Sequence, residues 1–277
     1  MEKQFTEINI GKERKKYFAG LIIAVAAING FVTLIMESEV NFIYYDLLRI
    51  GTIASAMIIS FVVFGKQGGG GLFGRAYTGL AIGLTMWFIA ESIWGYYEIV
   101  LGEESPFPSP ADAFWLGAYG GLLYYMFLLY RFFGKGLNKY AVAGVIIAIA
   151  VVAFAYLQFL ISISIPPEGE EGNDDFVLPL VISVMYPVLD FILLIPAILI
   201  VFNSGRGYLT SIPWIFVSLI LTAIADILLG LTAVTGFQDY EAMINMIYNS
   251  AYLCMAAGLL WYLRFFISGQ KQIIKPQ

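Results

Sequence analysis

Residues 177–202 read VLPLVISVMYPVLDFILLIPAILIVF, an apolar run in which Asp190 is the only charged residue. A hydrocarbon core about 30 Å thick is crossed by about 20 predominantly apolar helical residues, so this stretch is long enough to span it. Its prolines, Pro187 and Pro196, would disrupt a helix in a soluble core but are tolerated in membrane helices. Most of the chain reads the same way. Of its 277 residues, 60% are hydrophobic and 13% charged, against about 45–50% apolar and about 25% charged in soluble domains. Apolar runs bounded by charges or turn residues predict eight membrane helices, over 17–36, 42–65, 76–101, 111–133, 140–164, 177–202, 211–235 and 242–267. The predicted fold class is all-α, a polytopic integral membrane protein with connections too short for a soluble domain. A cytosolic enzyme, a nucleic-acid-binding module and a secreted disulfide scaffold are excluded.

The few charges are sorted by position. Lys12, Arg14, Lys15 and Lys16 precede the first predicted helix, and Lys66, Arg75, Arg131, Lys135, Lys139, Arg206, Lys271 and Lys275 fall on the same side of the bundle. Glu37, Glu39, Glu103, Glu104, the run Glu168 to Asp175, Asp239 and Glu241 fall on the other. Among Lys and Arg, Arg49 alone lies in the outer half of a span. The positive-inside rule then predicts a cell-membrane protein with both termini cytoplasmic. The first apolar run is longer than the 7–15 residues of a signal-peptide core, so it is expected to be retained as a helix.

Two halves of the chain resemble each other. Glu91 and Gly95 correspond to Asp226 and Gly230 at one common offset. Asp112, Tyr119 and Arg131-Phe132-Phe133 correspond to Asn245, Tyr252 and Arg264-Phe265-Phe266 at a slightly shorter one. A four-helix unit has an even number of crossings, so 1–139 and 140–277 are expected as two parallel repeats, with binding sites favoured at their interface. Packing alone would also account for shared glycines, which let membrane helices approach closely.

No histidine is present, which removes the commonest general base and zinc ligand and the usual haem ligand. Cys254 is the only cysteine and reads as packing. No lysine falls within a predicted span, so a Schiff-base retinal site is disfavoured. No cofactor and no metal are expected. What stands out is polar residues inside the spans. Glu91, Asp190 and Asp226 lie at membrane depth, where an ionised acid costs about 2.5–3.5 kcal/mol on insertion scales, and such acids face the bundle interior. Arg49 shares a helix face with Asp46, three residues earlier, and either that local pair or a link to Glu91 or Asp226 would occupy it. Tyr186 and Asp190 share a face across Pro187, which frees backbone carbonyls for a cation or simply kinks the helix. Asn245, Tyr248, Asn249 and Tyr252 form a polar stripe matched by Asp112, Trp115 and Tyr119, and Trp94 and Glu98 extend the line of Glu91. The expected ligand- or ion-binding set is Glu91, Asp190, Asp226, Arg49, Tyr186, Trp94, Asn245, Asn249, Tyr119 and Tyr252. In the loop before the fourth span, Ser109, Pro110 and Asp112 read as N-cap, first helical residue and capping-box partner. Gly69, Gly71 and Gly74 satisfy G-x-G-x-x-G but follow no strand, so a flexible linker is expected there.

At Tyr186-Pro187-Val188-Leu189-Asp190, and at Pro108-Ser109-Pro110-Ala111-Asp112 followed by Tyr119, the chain resembles the polytopic membrane sensor regions found ahead of diguanylate cyclase and histidine kinase domains. The resemblance implies a sensor-like role. The tail after Phe266 is short and carries no output domain, so signalling would require a separate partner. The residues themselves favour a non-enzymatic, ligand-binding protein whose acids hold a cation or an amine. The alternatives are a proton- or cation-coupled transporter and a structural subunit of a membrane complex. The lipid bilayer is the one certain partner, and no nucleic acid is expected.

Overall fold

A computed structural model of the chain describes residues 16–17, 19–31, 34, 41–103, 106–164, 177–203, 212–235 and 241–267. Its helices are α1 (Ala19–Phe31), α2 (Asn41–Gln67), α3 (Gly71–Gly95), α4 (Pro110–Phe133), α5 (Lys139–Ser164), α6 (Val177–Asn203), α7 (Ile212–Thr235) and α8 (Glu241–Trp261). π-Helical turns, Tyr96–Leu101 and Tyr262–Ile267, extend α3 and α8. Among the described residues there is no strand, and seven helices, α2 to α8, are long and apolar enough to cross a membrane. Helices of this length and composition are those of a multi-pass membrane protein. α1 is a shorter apolar helix, and part of the expected span 17–36 lies outside the described residues. So do Lys12, Arg14, Lys15, Glu37, Glu39, Glu104, the run Glu168 to Asp175, Arg206, Asp239, Lys271 and Lys275.

Packing closes the helices into a circuit. α2 packs on α3, α3 on α4, α4 on α6, α6 on α7, α7 on α8, and α8 back on α2. The ring leaves α5 outside, against α6 and α7, where a largely apolar helix can face lipid. α1 is tied to α8 by Asn29 Nδ2, which donates to Ser250 Oγ at 3.0 Å. The tightest contact is α3 on α4. A Cβ on Gly79 would meet the Gly121 carbonyl oxygen at 2.9 Å, and one on Gly121 would meet Gly83 N at 2.7 Å. Such small-xxx-small spacings bring membrane helices into backbone contact. Gly95 and Gly230 also pack closely, against Ile50 of α2 and the Tyr156 hydroxyl of α5.

The glycine-rich segment is a tight turn rather than the expected flexible linker. Gly71 already opens α3, and Gly68 and Gly71 adopt φ of 74° and 71°, where a side chain would clash. A Cβ on Gly74 would overlap the Gly68 carbonyl oxygen. α3 therefore begins before residue 76, and Glu91 lies farther from its start than expected. Phe73 meets Phe132 and Phe133 edge-on, Asn203 donates to the Phe133 carbonyl, and Tyr262 reaches Gln67 Oε1 at 3.4 Å. These contacts gather Lys66, Arg75, Arg131, Lys135, Lys139 and Arg264 at one end of the bundle.

Candidate functional site

Early in α2, Arg49 points into the ring with its side chain 11% exposed. Its Nε lies 2.7 Å from Glu91 Oε2, Nη2 is 2.6 Å from Asp46 Oδ1, and Nη1 donates to Asn245 Oδ1 at 3.0 Å. The guanidinium thus donates to Asp46 and Asn245 through its Nη atoms and meets Glu91 as an ion-pair contact rather than a hydrogen bond. The two sequence readings of Arg49 are thus both correct: it makes the local pair with Asp46 and the long-range link to Glu91. Its cation also stands 5.8 Å from the centre of the Trp94 ring, and Trp94 packs on Trp115. Glu91 Oε1 accepts from the Tyr252 hydroxyl at 2.6 Å. Both carboxylate oxygens of Glu91 are therefore held, one by a cation and one by a hydroxyl.

Across the ring, Tyr119 of α4 places its hydroxyl 2.7 Å from Asp190 Oδ1 and 3.2 Å from Asp226 Oδ2. The one Tyr119 hydroxyl therefore bridges the Asp190 and Asp226 carboxyls. Tyr248 donates to Asp226 Oδ1. Among the described residues, Asp190 Oδ2 is buried and accepts from no N–H or O–H donor. One turn earlier on α6, Tyr186 donates to Asp112 Oδ1 at 2.7 Å. Asp112 also closes the expected capping box, its Oδ2 accepting from Ser109 N at 2.7 Å while Ser109 Oγ accepts from Ala111 N at 3.2 Å. It is both a helix cap and part of the polar interior. On α8 the Tyr248 and Tyr252 rings stack with centroids 6.4 Å apart, which joins the Arg49 and Asp190 sides into one network.

The structure brings Glu91, Asp190, Asp226, Arg49, Tyr186, Asn245, Tyr119 and Tyr252 into this network, with Trp94 at its edge. Asn249 is fully buried and meets Thr52 Oγ1 only at 3.5 Å, the weakest link of the set. Glu98, in the π-helical turn from Tyr96, stands beside Asp46, Trp94 and Arg49, on the side of the Glu91 pair. α6 stays helical through Pro187 and Pro196. Asp46, Asp112 and Tyr248 are participants missing from the expected set; for Tyr248 the signal was its place in the α8 stripe. Cys254 is buried as packing.

Among the described residues no group of three or more acidic or thiol side chains is arranged to hold a metal ion. An apolar cleft of about 360 Å³, lined by residues including Phe154, Leu157, Val188 and Ile192, opens between α5 and α6, outside the ring. The chain matches no known protein family, no curated protein and no solved structure. Its function must be argued from the chemistry of the network.

Proposed function

We propose that the chain is a non-enzymatic, sensor-like or ligand-binding protein of the cell membrane, whose ring interior is an acidic site for a cation or an amine-bearing ligand. Charge imbalance carries this reading. Asp46, Glu91, Asp112 and Asp190 are at most 4% exposed and Asp226 is partly buried, while Arg49 is the basic side chain among the described residues that meets the acids of the ring interior. Excess negative charge in a low-dielectric interior favours whatever cation can reach it. The resemblance to sensor regions supports the same reading. Basic residues gathered at one end support cytoplasmic termini.

Two parallel repeats, 1–139 and 140–277, would place this site at their interface. In support, α2 packs on α8 as α6 packs on α4, and Tyr252 bonds Glu91 as Tyr119 bonds Asp226. α1 and α5 do not follow the pattern, since α1 lies on α8 and α5 on α6 and α7. The test is thermal unfolding of the purified protein against a panel of alkali cations and primary amines. Stabilisation by at least one of them, lost in the Glu91→Gln and Asp226→Asn double variant, is expected. No stabilisation across the panel, together with an unaltered double variant, would overturn the reading.

Coupled transport is the second reading, favoured by Pro187 and Pro196 flanking Asp190, because each leaves a helical carbonyl without its usual donor. Such loosened helices line the ion paths of transporters. Solute flux into proteoliposomes that follows a pH gradient and vanishes in Asp190→Asn would select it over sensing.

A further inference from the structure

The network contains two triangles of the same make, one short of a positive charge. On one side Glu91 of α3 meets Tyr252 of α8 and Arg49 of α2. On the other, Asp226 of α7 meets Tyr119 of α4, whose hydroxyl also reaches Asp190 of α6. The α2 segment Tyr45-Asp46-Leu47-Leu48-Arg49 aligns with Tyr186-Pro187-Val188-Leu189-Asp190 of α6, sharing Tyr and Leu and setting Asp190 where Arg49 stands. Where the first triangle has a guanidinium, the second has another carboxyl.

Counting donors shows what is missing. The Tyr119 hydroxyl has one proton for two carboxyls, and the shorter contact assigns it to Asp190 Oδ1. Asp226 retains Tyr248 on its other oxygen. Asp190 Oδ2 has no donor among the described residues, yet its carboxyl is gathered with that of Asp226 around the one Tyr119 hydroxyl. Two carboxylates cannot share a buried contact when both are ionised. A metal ion would need more oxygen ligands than are gathered here. The geometry points to a proton-binding site: Asp190 is protonated, donates from Oδ2 to ionised Asp226, and accepts from Tyr119 on Oδ1. Asp190 is the protonated member because Asp226 is the better supplied with donors. The groups facing the pair are Glu91 from α3, Tyr119 and Asp112 from α4, Tyr156 from α5, Tyr186 on α6, and Tyr248 and Tyr252 from α8, with Arg49 behind Glu91. Those on the Asp190 side are acids or phenols, so none supplies the missing charge. This inference deepens the acidic-site reading and rests on it for the negative excess.

Infrared spectroscopy of the intact protein in lipid nanodiscs, titrated from acid to alkaline pH in light and heavy water, tests the assignment. At neutral pH the carbonyl stretch of a protonated, hydrogen-bonded carboxyl should be present. It should disappear in Asp190→Asn, persist in Glu91→Gln, and vanish on alkaline titration with a matching fall in Tm that Asp190→Asn does not show. Tyr119→Phe, which removes the donor to Asp190 Oδ1, provides a second variant if Asp190→Asn fails to fold: the band should shift in it, and an unshifted band would overturn the assignment to Asp190. No protonated-carboxyl band in the wild type, or a band lost in Glu91→Gln but kept in Asp190→Asn, overturns the proposal. Loss of the band at constant neutral pH on adding sodium or potassium chloride, but not choline chloride, also overturns it, since a metal cation would then be the preferred occupant. The ligand panel and the infrared band fail separately: an empty panel with the band present removes the ligand reading alone.

Discussion

The Arg49 and Asp190 triangles use the same three parts, an acid, a tyrosine and a residue from the neighbouring helix, and differ in the sign of the third. With Arg49 the acid is held as a buried ion pair, a cation against one oxygen and a tyrosine hydroxyl on the other. With Asp190 the acid faces another acid and has only tyrosines around it. One scaffold can therefore host a triangle that carries its own cation and one that carries none, and a single side chain decides which. A closed pair suits a fixed joint between helices. An open one suits a site that takes up a charge.

Breaking the closed triangle has the largest expected effect. Arg49→Met leaves Glu91 and Asp46 buried without a cation and should cost about 3–5 kcal/mol of stability, as for other broken buried pairs. Thermal unfolding in detergent measures it, and adding Glu91→Gln should restore part of the loss; no restoration would mean that the pair does not join the helices. The tyrosines come next. Tyr252→Phe removes a hydroxyl bonded to the ion-paired Glu91 and should cost about 1.5–3 kcal/mol, the range for hydrogen bonds to charged groups. Tyr119→Phe should cost less, about 0.5–1.5 kcal/mol, because the Asp190 oxygen that it serves belongs to a protonated carboxyl, and the reverse order would break the comparison. A double-mutant cycle on Arg49 with Glu91 should give favourable coupling at neutral and alkaline pH alike. The cycle on Asp190 with Asp226 should give coupling that turns unfavourable as pH rises. The smallest effect is expected at Asp112→Asn, about 0.5 kcal/mol, because an amide oxygen can still accept from Ser109 N at the third helical position, and Asn245 occupies the matching place on α8.

Much of the architecture was legible because a membrane helix announces itself by local composition. The spans from α2 to α8 follow from apolar runs, and the Ser109-Pro110-Asp112 start of α4 follows from short-range capping chemistry. α3 starts earlier than predicted because a turn made only of glycines has no polarity to mark its end. Gly79, Gly83, Gly117 and Gly121 have the spacing of a helix contact, yet only the structure shows α3 and α4 meeting through them. The acids stood out as exceptions in apolar runs, so Glu91, Asp190 and Asp226 were found. Their partners were not, since Tyr252 and Glu91 lie 161 residues apart. Asp112 illustrates the mixture: its capping role is local and was foreseen, and its bond to Tyr186 is not local and was missed.

The amino-acid sequence by itself determined that the chain is helical and membrane-spanning, which residues are misplaced in lipid, and at which end the basic residues gather. Hydropathy and helix capping act over a few residues, so they can be read along the chain. Which acid faces a cation and which faces another acid was decided only by the tertiary structure. Coulombic and hydrogen-bond energies depend on distances between side chains on different helices, and the ring closure of α2 through α8 sets those distances.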